Sequence, residues 1–318
     1  MWDFDFAKAV GMVAKTLPFV ILRLVVFVGI GVAYVGVAGI GGIVGYGFGR
    51  VFSPEPEVGA FWGGMIGLGL VSIGLYLARE YILYLVKAAH IAVLVELYDG
   101  RQVPADQLAF GASAVKTHFA ESSVLFGVDQ LIKAVLRTFF RTINFFTAFL
   151  PIPALQSLIR MAECVVRLSL TYVDEIILAY LIRTRTTNPW GTAKDGLILY
   201  AQNYKHFLKN AVWLALFLWL TSVAIFLLLL GPAAAFIVLM PGHLTAWAFA
   251  VAFIFAWGLK AAILEPVAIA AMMQVYFKTI EGQTPDPEWE ARLDRASNKF
   301  RQFAGRAADW AAPARKPA

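Results

Sequence analysis

The sequence is short of cysteine, of charge and of the residue patterns that enzymes use. It has one cysteine, Cys164, and 15% charged residues among 318, whereas soluble domains carry roughly 25%. A single cysteine excludes an internal disulfide and a zinc site built from cysteines. No HExxH spacing and no glycine-flanked serine of the hydrolase type occurs. The histidines are scattered along the chain, at His90, His118, His206 and His243. We therefore expect no metal, no cofactor and no enzymatic activity.

What the sequence has instead is long apolar runs. The segments Val58–Ala78, Ala211–Met240 and Leu244–Leu259 carry no charge, and Leu17–Phe48 carries only Arg23. About 20 apolar residues suffice to cross the hydrocarbon core as a helix, in which every backbone amide is satisfied internally. The runs therefore predict an all-α, polytopic membrane protein with about four transmembrane helices, supplemented by long amphipathic cytoplasmic or interfacial helices.

Charge sorts the segments between the two sides of a membrane. Lysine and arginine concentrate in residues 79–210 and beyond residue 277, whereas the loops at 50–57 and 231–243 carry few or none. The positive-inside rule then predicts a multi-pass protein of the cell (inner or plasma) membrane with both termini cytoplasmic. The net charge of +6 is explained by anionic lipids, so we expect the bilayer and its anionic lipids as partners and no nucleic acid.

The predicted organisation follows from these runs. It comprises an N-terminal interfacial segment (1–16), a transmembrane hairpin (17–78), an amphipathic cytoplasmic or interfacial region (79–210), a second transmembrane hairpin (211–277) and a cytoplasmic amphipathic tail (278–318). As a single helix Leu17–Gly49 measures roughly 50 Å, more than the bilayer core needs. It must tilt, protrude or break, and Gly41–Gly42 is the expected position of a break.

Two glycine stripes flank the first short loop. Small residues at every fourth position let membrane helices approach closely. Two interpretations remain open: a tight hairpin within one chain, which we favour, or an interface between subunits. The stripes consist of Gly41, Gly45 and Gly49 on the first run and Gly59, Gly63 and Gly67 on the second.

Polar stripes also follow the two helices predicted on either side of Pro151–Pro153. Charges recur three or four residues apart on otherwise apolar helices. They form a solvated or interfacial face, which we favour, a row of salt bridges inside the fold, or the lining of a conduit. The candidate substrate or pore residues are Asp129, Lys133, Arg137, Arg160, Glu163, Arg167, Asp174 and Glu175, together with Lys260 and Glu265 near the end of the last run.

The last run and the tail each leave an alternative open. Lys260 and Glu265 form either an interfacial pair, which we favour, or a buried ion site, and Pro266 is expected to kink the helix. The tail begins at Asp286, a good helix start, and is predicted to be one amphipathic helix. It lies on the anionic inner leaflet or docks on the central helices. Its candidate lipid-surface residues are Trp289, Leu293, Phe300, Phe303 and Trp310.

The stretch from His118 to the tail resembles the C-terminal half of choline transporter-like proteins, a solute-carrier family. Three short blocks carry the likeness: Ser122–Gly127, Tyr172–Asn203 with Gly191–Gly196, and Glu265 followed by Val275–Phe277 and Arg292–Asp294. The family's chains are about twice as long, and its cysteine cluster is reduced here to Cys164. The resemblance implies a shared architecture and, as an expectation, transport of an organic cation such as choline.

Two functions of different classes are compatible with these features. The first is an oligomeric channel or transporter for a small solute or ion, since so few spans make a thin conduit in one protomer. The second is a non-transporting oligomeric membrane scaffold or lipid-organising protein, supported by the glycine stripes and the amphipathic tail.

Overall fold

The computed structural model describes residues 2–52, 56–118, 126–135, 172–239, 256 and 258–311, and every regular element in these ranges is helical. The helices are α1 (Phe6–Ala14), α2 (Leu17–Phe52), α3 (Pro56–Tyr98), α4 (Gln107–His118), α5 (126–135), α6 (Val173–Thr184), α7 (Pro189–Gln202), α8 (Tyr204–Leu239), a π-helical turn (Lys260–Leu264), α9 (Glu265–Ile280), α10 (Pro287–Ala296) and α11 (Asn298–Ala311).

Three described segments are long and apolar enough to cross a membrane: Tyr81–Tyr98, Tyr204–Leu229 and Lys260–Ile280. A fourth exists if α1 and Leu17–Ala33, which are bent by 76°, count as one span. The three differ in burial within the protein: of the 18-residue apolar stretch that qualifies each segment, 50%, 11% and 78%, respectively, is buried. Tyr204–Leu229 exposes most of its apolar surface and is thus the best suited of them to contact lipid. Most of the predicted run Leu244–Leu259 lies outside the described residues.

Helix α2 is continuous through Gly41–Gly42, so of the three alternatives for this run (tilt, protrusion or a break there) the break does not occur. The glycines serve helix packing instead, as described below, and the chain bends earlier, between α1 and α2. There the Thr16 hydroxyl donates to the Val13 carbonyl (3.0 Å) and lies 2.8 Å from the imidazole Nε2 of buried His90. This contact ties the corner to α3.

The last run changes its helical geometry just before Pro266. Residues Lys260–Leu264 form a π-helical turn, and α9 begins at Glu265. Proline lacks an N–H and its ring clashes with the carbonyl four residues earlier, so a widened turn is the expected local response.

The chain divides into two compact units. Unit 1 comprises Met1–Leu17, Lys87–Thr221 and Glu265–Ala318, and unit 2 comprises Pro18–Val86 and Ser222–Leu264. Unit 1 thus contains both termini and most of the basic central region, the parts of the sequence predicted to share one side of a membrane.

Unit 2 presents an apolar surface. Ile43, Val51 and Leu228 are 75%, 72% and 76% exposed. Exposed apolar surface of this kind is typical of membrane contact or association. By contrast, the single charged residue of the first run, Arg23, is buried at 2% exposure. A charged side chain at such a position faces protein and not the surroundings.

The two glycine stripes meet within one chain in unit 2. A Cβ atom at Gly45 would overlap the carbonyl oxygen of Gly59, and one at Gly41 would overlap that of Gly63. A Cβ at Gly59 would lie 3.0 Å from the Gly49 Cα, and one at Gly67 would lie 3.1 Å from the Val37 carbonyl oxygen. Only glycine allows α2 and α3 to approach so closely.

The N-terminal segment is fastened inside unit 1 by buried amides. The backbone N–H of Asp3 donates to the side chain of Asn210 (2.7 Å), and Lys209 pairs with the Asp3 carboxylate (2.7 Å). Gln274 exchanges two hydrogen bonds with the backbone of Asp5, each 3.1 Å long. Because the Gln274 and Asn210 side chains are buried, these bonds satisfy polar groups that would otherwise destabilise the core.

The tail docks on α7 within unit 1, so the prediction that Leu293, Phe300 and Phe303 face lipid is wrong. Phe300 and Phe303 are fully buried, and the rings of Phe303 and Trp190 lie 6.0 Å apart. Burying these side chains inside the protein is the alternative to burying them in a leaflet, and each removes apolar surface from water.

The two tryptophans of the tail are more accessible. The ring of Trp289 is half-buried, 6.0 Å from Tyr204, whereas Trp310 is 46% exposed and donates from Nε1 to the Thr187 carbonyl (2.7 Å). The start at Asp286 is as predicted, since its side chain accepts from the Glu288 N–H. The tail is nevertheless two helices, because the chain leaves helical geometry at buried Ser297.

Candidate functional site

Charged side chains from three helices of unit 1 meet in what we call the charged cluster, namely Lys87 of α3, Asp129 and Lys133 of α5, and Asp174 and Glu175 of α6. Lys87 Nζ lies 2.8 Å from Glu175 Oε1. Lys133 Nζ lies 2.8 Å from Asp129 Oδ2 and 3.6 Å from Asp174 Oδ2. The three acidic residues are only 6–7% exposed, whereas 29% and 30% of the Lys87 and Lys133 side chains are accessible, so the carboxylate side of each ion pair is the part shielded from water.

Local helical geometry explains the arrangement. Asp129 and Lys133 are four residues apart, which places them on one face of α5. Asp174 and Glu175 lie in the first turn of α6, where the helix dipole favours negative charge. Lys87 is held by the buried part of α3, among neighbours such as Ala88 and Ala89.

The two neighbouring acids of α6 have opposite pKa shifts. Burial raises the pKa of Asp174 well above its ordinary value, and the negative charge of Glu175 raises it further. Burial is the largest influence on Glu175 and acts to raise its pKa, but the Lys87 ammonium, a hydrogen bond from Asp174 and the Lys133 ammonium together outweigh it and lower that pKa to about 2. Two adjacent carboxyl groups cannot both ionise cheaply in a poorly solvated site. The arrangement therefore favours a single negative charge on the pair, carried by Glu175.

Two further groups respond to the same environment. Burial raises the pKa of Asp129, and the Lys133 ammonium opposes that rise. Burial also raises the pKa of the Tyr172 phenol, and the carboxylates of Glu265 and Glu175 raise it further. Glu265, at the start of α9, thus acts electrostatically on groups beside the cluster.

The acidic residues of the polar stripes are buried where the structure describes them. The solvated or interfacial face favoured from the sequence is wrong for Asp129 and Asp174, because packing of α5 and α6 removes both from water. At this point the stripes form salt bridges inside the fold, as Lys133 reaches both acids. The remaining candidates of the stripes, Arg137, Arg160, Glu163 and Arg167, lie outside the described residues.

Lys260 and Glu265 are both half-buried. Lys260 opens the π-helical turn of unit 2, and Glu265 opens α9 of unit 1.

Sequence reasoning missed Lys87 as a site residue. It belongs to the basic region 79–210 that predicts the cytoplasmic side, and it is the only lysine or arginine between Glu80 and Tyr98 in a strongly apolar stretch. A lone cation in such a run is the signal that could have identified it, because burying it requires a specific partner.

The cluster is chemically suited to binding protons and cations. It combines carboxyl groups of different pKa with two ammonium groups, so it can bind a proton or exchange one cation for another. Within the described ranges, no group of His, Cys, Asp and Glu side chains is arranged to hold a metal ion. No protein-family model, curated protein or solved structure matches the chain, and the resemblance to choline transporter-like proteins therefore stays a prediction.

Proposed function

We propose that this chain is an integral membrane transport protein, a channel or transporter for a small solute or ion that acts as a homo-oligomer. The observation that carries the proposal is the buried charged cluster in a chain rich in apolar, potentially membrane-spanning helices. Among the described residues, it brings acids and lysines from helices distant in sequence into a single site.

Stability alone is a weak reason to keep such a cluster. Removing an ion from water costs several kcal/mol. A protein in which well-packed apolar side chains replace a buried ion pair is often as stable as the original or more stable. Charged groups inside a membrane are typical of substrate or ion pathways and proton relays, and Lys87 lies in Tyr81–Tyr98, a segment apolar enough to span a membrane. The cluster is therefore better explained by ion handling than by packing.

Contacts inside the chain weaken the two features that support the scaffold alternative. Gly45 and Gly59 pack against each other in one protomer, so these stripes are already occupied. Phe300 and Phe303 are buried on α7, so the tail does not present them to a bilayer.

The class of solute is a separate part of the proposal. The family resemblance favours an organic cation such as choline, which aromatic faces and a carboxylate would bind. Tyr200 stacks on Phe207 at 4.5 Å and Tyr180 lies edge-on to Tyr276 at 5.9 Å. Those rings already pack against other aromatic residues, which leaves Tyr172, beside the cluster, as the aromatic candidate.

The membrane orientation is part of the same proposal. Both termini and most of the basic central region belong to unit 1, and the positive-inside rule places basic segments outside the candidate spans in the cytoplasm. We therefore propose a multi-pass protein of the cell membrane with both termini inside.

Reconstitution into liposomes tests the proposal. Purified protein is inserted into sealed vesicles, and the fluxes of protons, potassium, sodium, chloride and radiolabelled choline are followed under imposed gradients. We expect at least one flux to exceed that of protein-free vesicles, and a native mass in lipid nanodiscs that corresponds to more than one chain. Fluxes equal to those of protein-free vesicles, from correctly folded protein, would contradict transport and favour the scaffold.

A further inference from the structure

One oxygen of the charged cluster lacks a donor. Glu175 Oε1 accepts a hydrogen bond from Lys87, but its second oxygen, Oε2, is buried and receives none from any residue that the structure describes. Buried polar atoms in folded proteins almost always have a hydrogen-bond partner. The arrangement therefore leaves this oxygen open to a donor other than the lysines and backbone amides of the described residues.

The neighbouring carboxyl group of Asp174 can supply that donor. The side chains of Asp174 and Glu175 are within hydrogen-bonding reach of each other. A carboxyl group donates only when it carries a proton. A proton on Asp174 would therefore complete the hydrogen bonding of the Glu175 carboxylate.

Charge balance points to the same group. The cluster contains the carboxyl groups of Asp129, Asp174 and Glu175 and the ammonium groups of Lys87 and Lys133, so one bound proton makes these described residues neutral. Lys87 is committed to Glu175, and Lys133 lies closer to Asp129 (2.8 Å) than to Asp174 (3.6 Å). Asp174 is the acid with the weakest counter-charge.

The groups around Asp174 act in opposite directions. Glu175 on its own helix and Asp129 on α5 favour the protonated form of Asp174, whereas Lys87 on α3 opposes it. Lys133 on α5 lies 3.6 Å away and also favours the carboxylate. Burial is the largest influence and also favours the protonated form. Burial and the two acids together outweigh the lysines, so the pKa of Asp174 is raised.

We infer that Asp174 is a proton-binding site, which holds a proton in the resting protein and donates it in a hydrogen bond to Glu175. Release converts the Asp174 carboxyl group to a carboxylate and one free proton, after which Lys133 is the nearest cation to neutralise it. Uptake reverses the step. If the proposed transport function holds, on which this part rests, the proton is the ion coupled to transport.

Infrared spectroscopy of the protein in lipid vesicles tests the site without requiring transport. A protonated carboxyl group has its own C=O stretching band, separate from that of a carboxylate. At neutral pH we expect this band in the wild type and its loss in Asp174→Asn, which keeps the shape of the protonated side chain. Asp99→Asn is the matched control, because Asp99 is paired with Arg183 and Arg101 outside the cluster, and it should leave the band unchanged.

Proton flux in the same vesicles tests the coupling. An interior pH dye should report proton movement that Asp174→Asn lowers at least about tenfold, because proton transfer through a positioned group contributes that much or more. Absence of an Asp174-dependent band, or its loss in Asp129→Asn instead, overturns the inference whatever the flux.

The remaining outcomes separate the two proposals. An Asp174-dependent band in protein that moves no solute or ion supports the proton site and contradicts the transport function. A solute flux whose rate is changed neither by a pH gradient nor by Asp174→Asn overturns proton coupling.

Discussion

Lys87 Nζ lies 2.8 Å from Glu175 Oε1, a contact that joins the C-terminal part of α3 to the first turn of α6 across 88 residues of sequence. The two partners differ in exposure, with 29% of the lysine side chain and 8% of the glutamate side chain accessible. Loss of the lysine would therefore leave a buried carboxylate without its cation, whereas loss of the carboxylate leaves a lysine that can still reach water.

This asymmetry predicts the effect of breaking the pair. Lys87→Met should lower the free energy of unfolding by about 3–5 kcal/mol, as expected when one partner of a buried pair is removed. Glu175→Gln should have a smaller effect, and the double variant should be more stable than the sum of the single changes predicts. Denaturant or thermal unfolding of the protein in lipid or detergent measures all three.

A half-exposed pair in the same unit provides the control. Lys194 Nζ lies 2.7 Å from Glu290 Oε1, with side chains 21% and 36% accessible. Glu290→Gln should change stability by less than about 1 kcal/mol, as is usual for exposed ion pairs. Equal losses for Lys87→Met and Glu290→Gln would show that the Lys87–Glu175 pair is not effectively buried.

The pKa of Glu175 predicts how its contribution depends on pH. Because the folded-state value, about 2, is below the ordinary value of 4.5, the ionised glutamate stabilises the fold above pH 4.5 and loses this effect as pH falls towards 2. The difference in melting temperature between the wild type and Glu175→Gln should therefore be largest near neutral pH and shrink on acidification.

Ionisation of Asp174 should affect the stability of the fold in the opposite direction as pH changes. Its raised pKa means that folding is opposed once pH exceeds the ordinary value of 3.8, since the unfolded chain then ionises more readily. Asp174→Asn should gain stability relative to the wild type as pH rises through this region. Parallel pH profiles for Asp174→Asn and Glu175→Gln would contradict the assignment of one charge to the pair.

The glycine contact in unit 2 predicts a sharp difference between two neighbouring positions on α2. Gly45→Ala places a methyl group against the Gly59 carbonyl, and overpacking of this kind costs about 1–3 kcal/mol. Gly47→Ala meets nothing within 4 Å and should be neutral or stabilising, because alanine favours helix by about 1 kcal/mol. Thermal unfolding in detergent distinguishes them, and a harmless Gly45→Ala would exclude the close approach of α2 and α3.

The docked tail predicts a packing defect when its buried ring is removed. Phe303→Ala should lower stability by about 3–5 kcal/mol and make α10 and α11 accessible to protease, because Phe303 fills a fully buried position beside Trp190. Gln302→Ala, at the exposed neighbouring position, should have little effect. If instead the tail of the wild type is cleaved as fast as that of Phe303→Ala, the tail does not dock as described.

The helical character of the chain could be predicted from the sequence because it depends on local patterns. The run from Leu17 predicts a helix by length alone, and Asp286 marks a helix start through its capping side chain. The position of the bend could not be predicted in this way. The contact between Thr16 and His90 that holds this corner joins residues 74 positions apart, and no local rule brings them together.

The charged cluster was predictable only in part, for the same reason. Spacing alone places Asp129 and Lys133 on one helical face, and it suggested that Asp174 belongs to a facing stripe. Neither their burial nor the partnership of Lys87 with Glu175 follows from spacing, because both depend on how α3, α5 and α6 pack. The environment of the amphipathic tail could not be predicted for the same reason. Its sequence pattern is equally compatible with burial of Phe300 in a lipid leaflet and in a protein groove.

Flux through a pair of matched variants tests most directly whether the charged cluster serves transport. Wild type, Glu175→Gln and Glu290→Gln are reconstituted at equal protein density, and the flux that the wild type supports is compared at neutral pH. We predict that Glu175→Gln loses at least about tenfold in rate, because it removes the charge at the centre of the site, while Glu290→Gln keeps the wild-type rate. Equal rates for the two variants, with both proteins folded, would contradict a role for the cluster in transport.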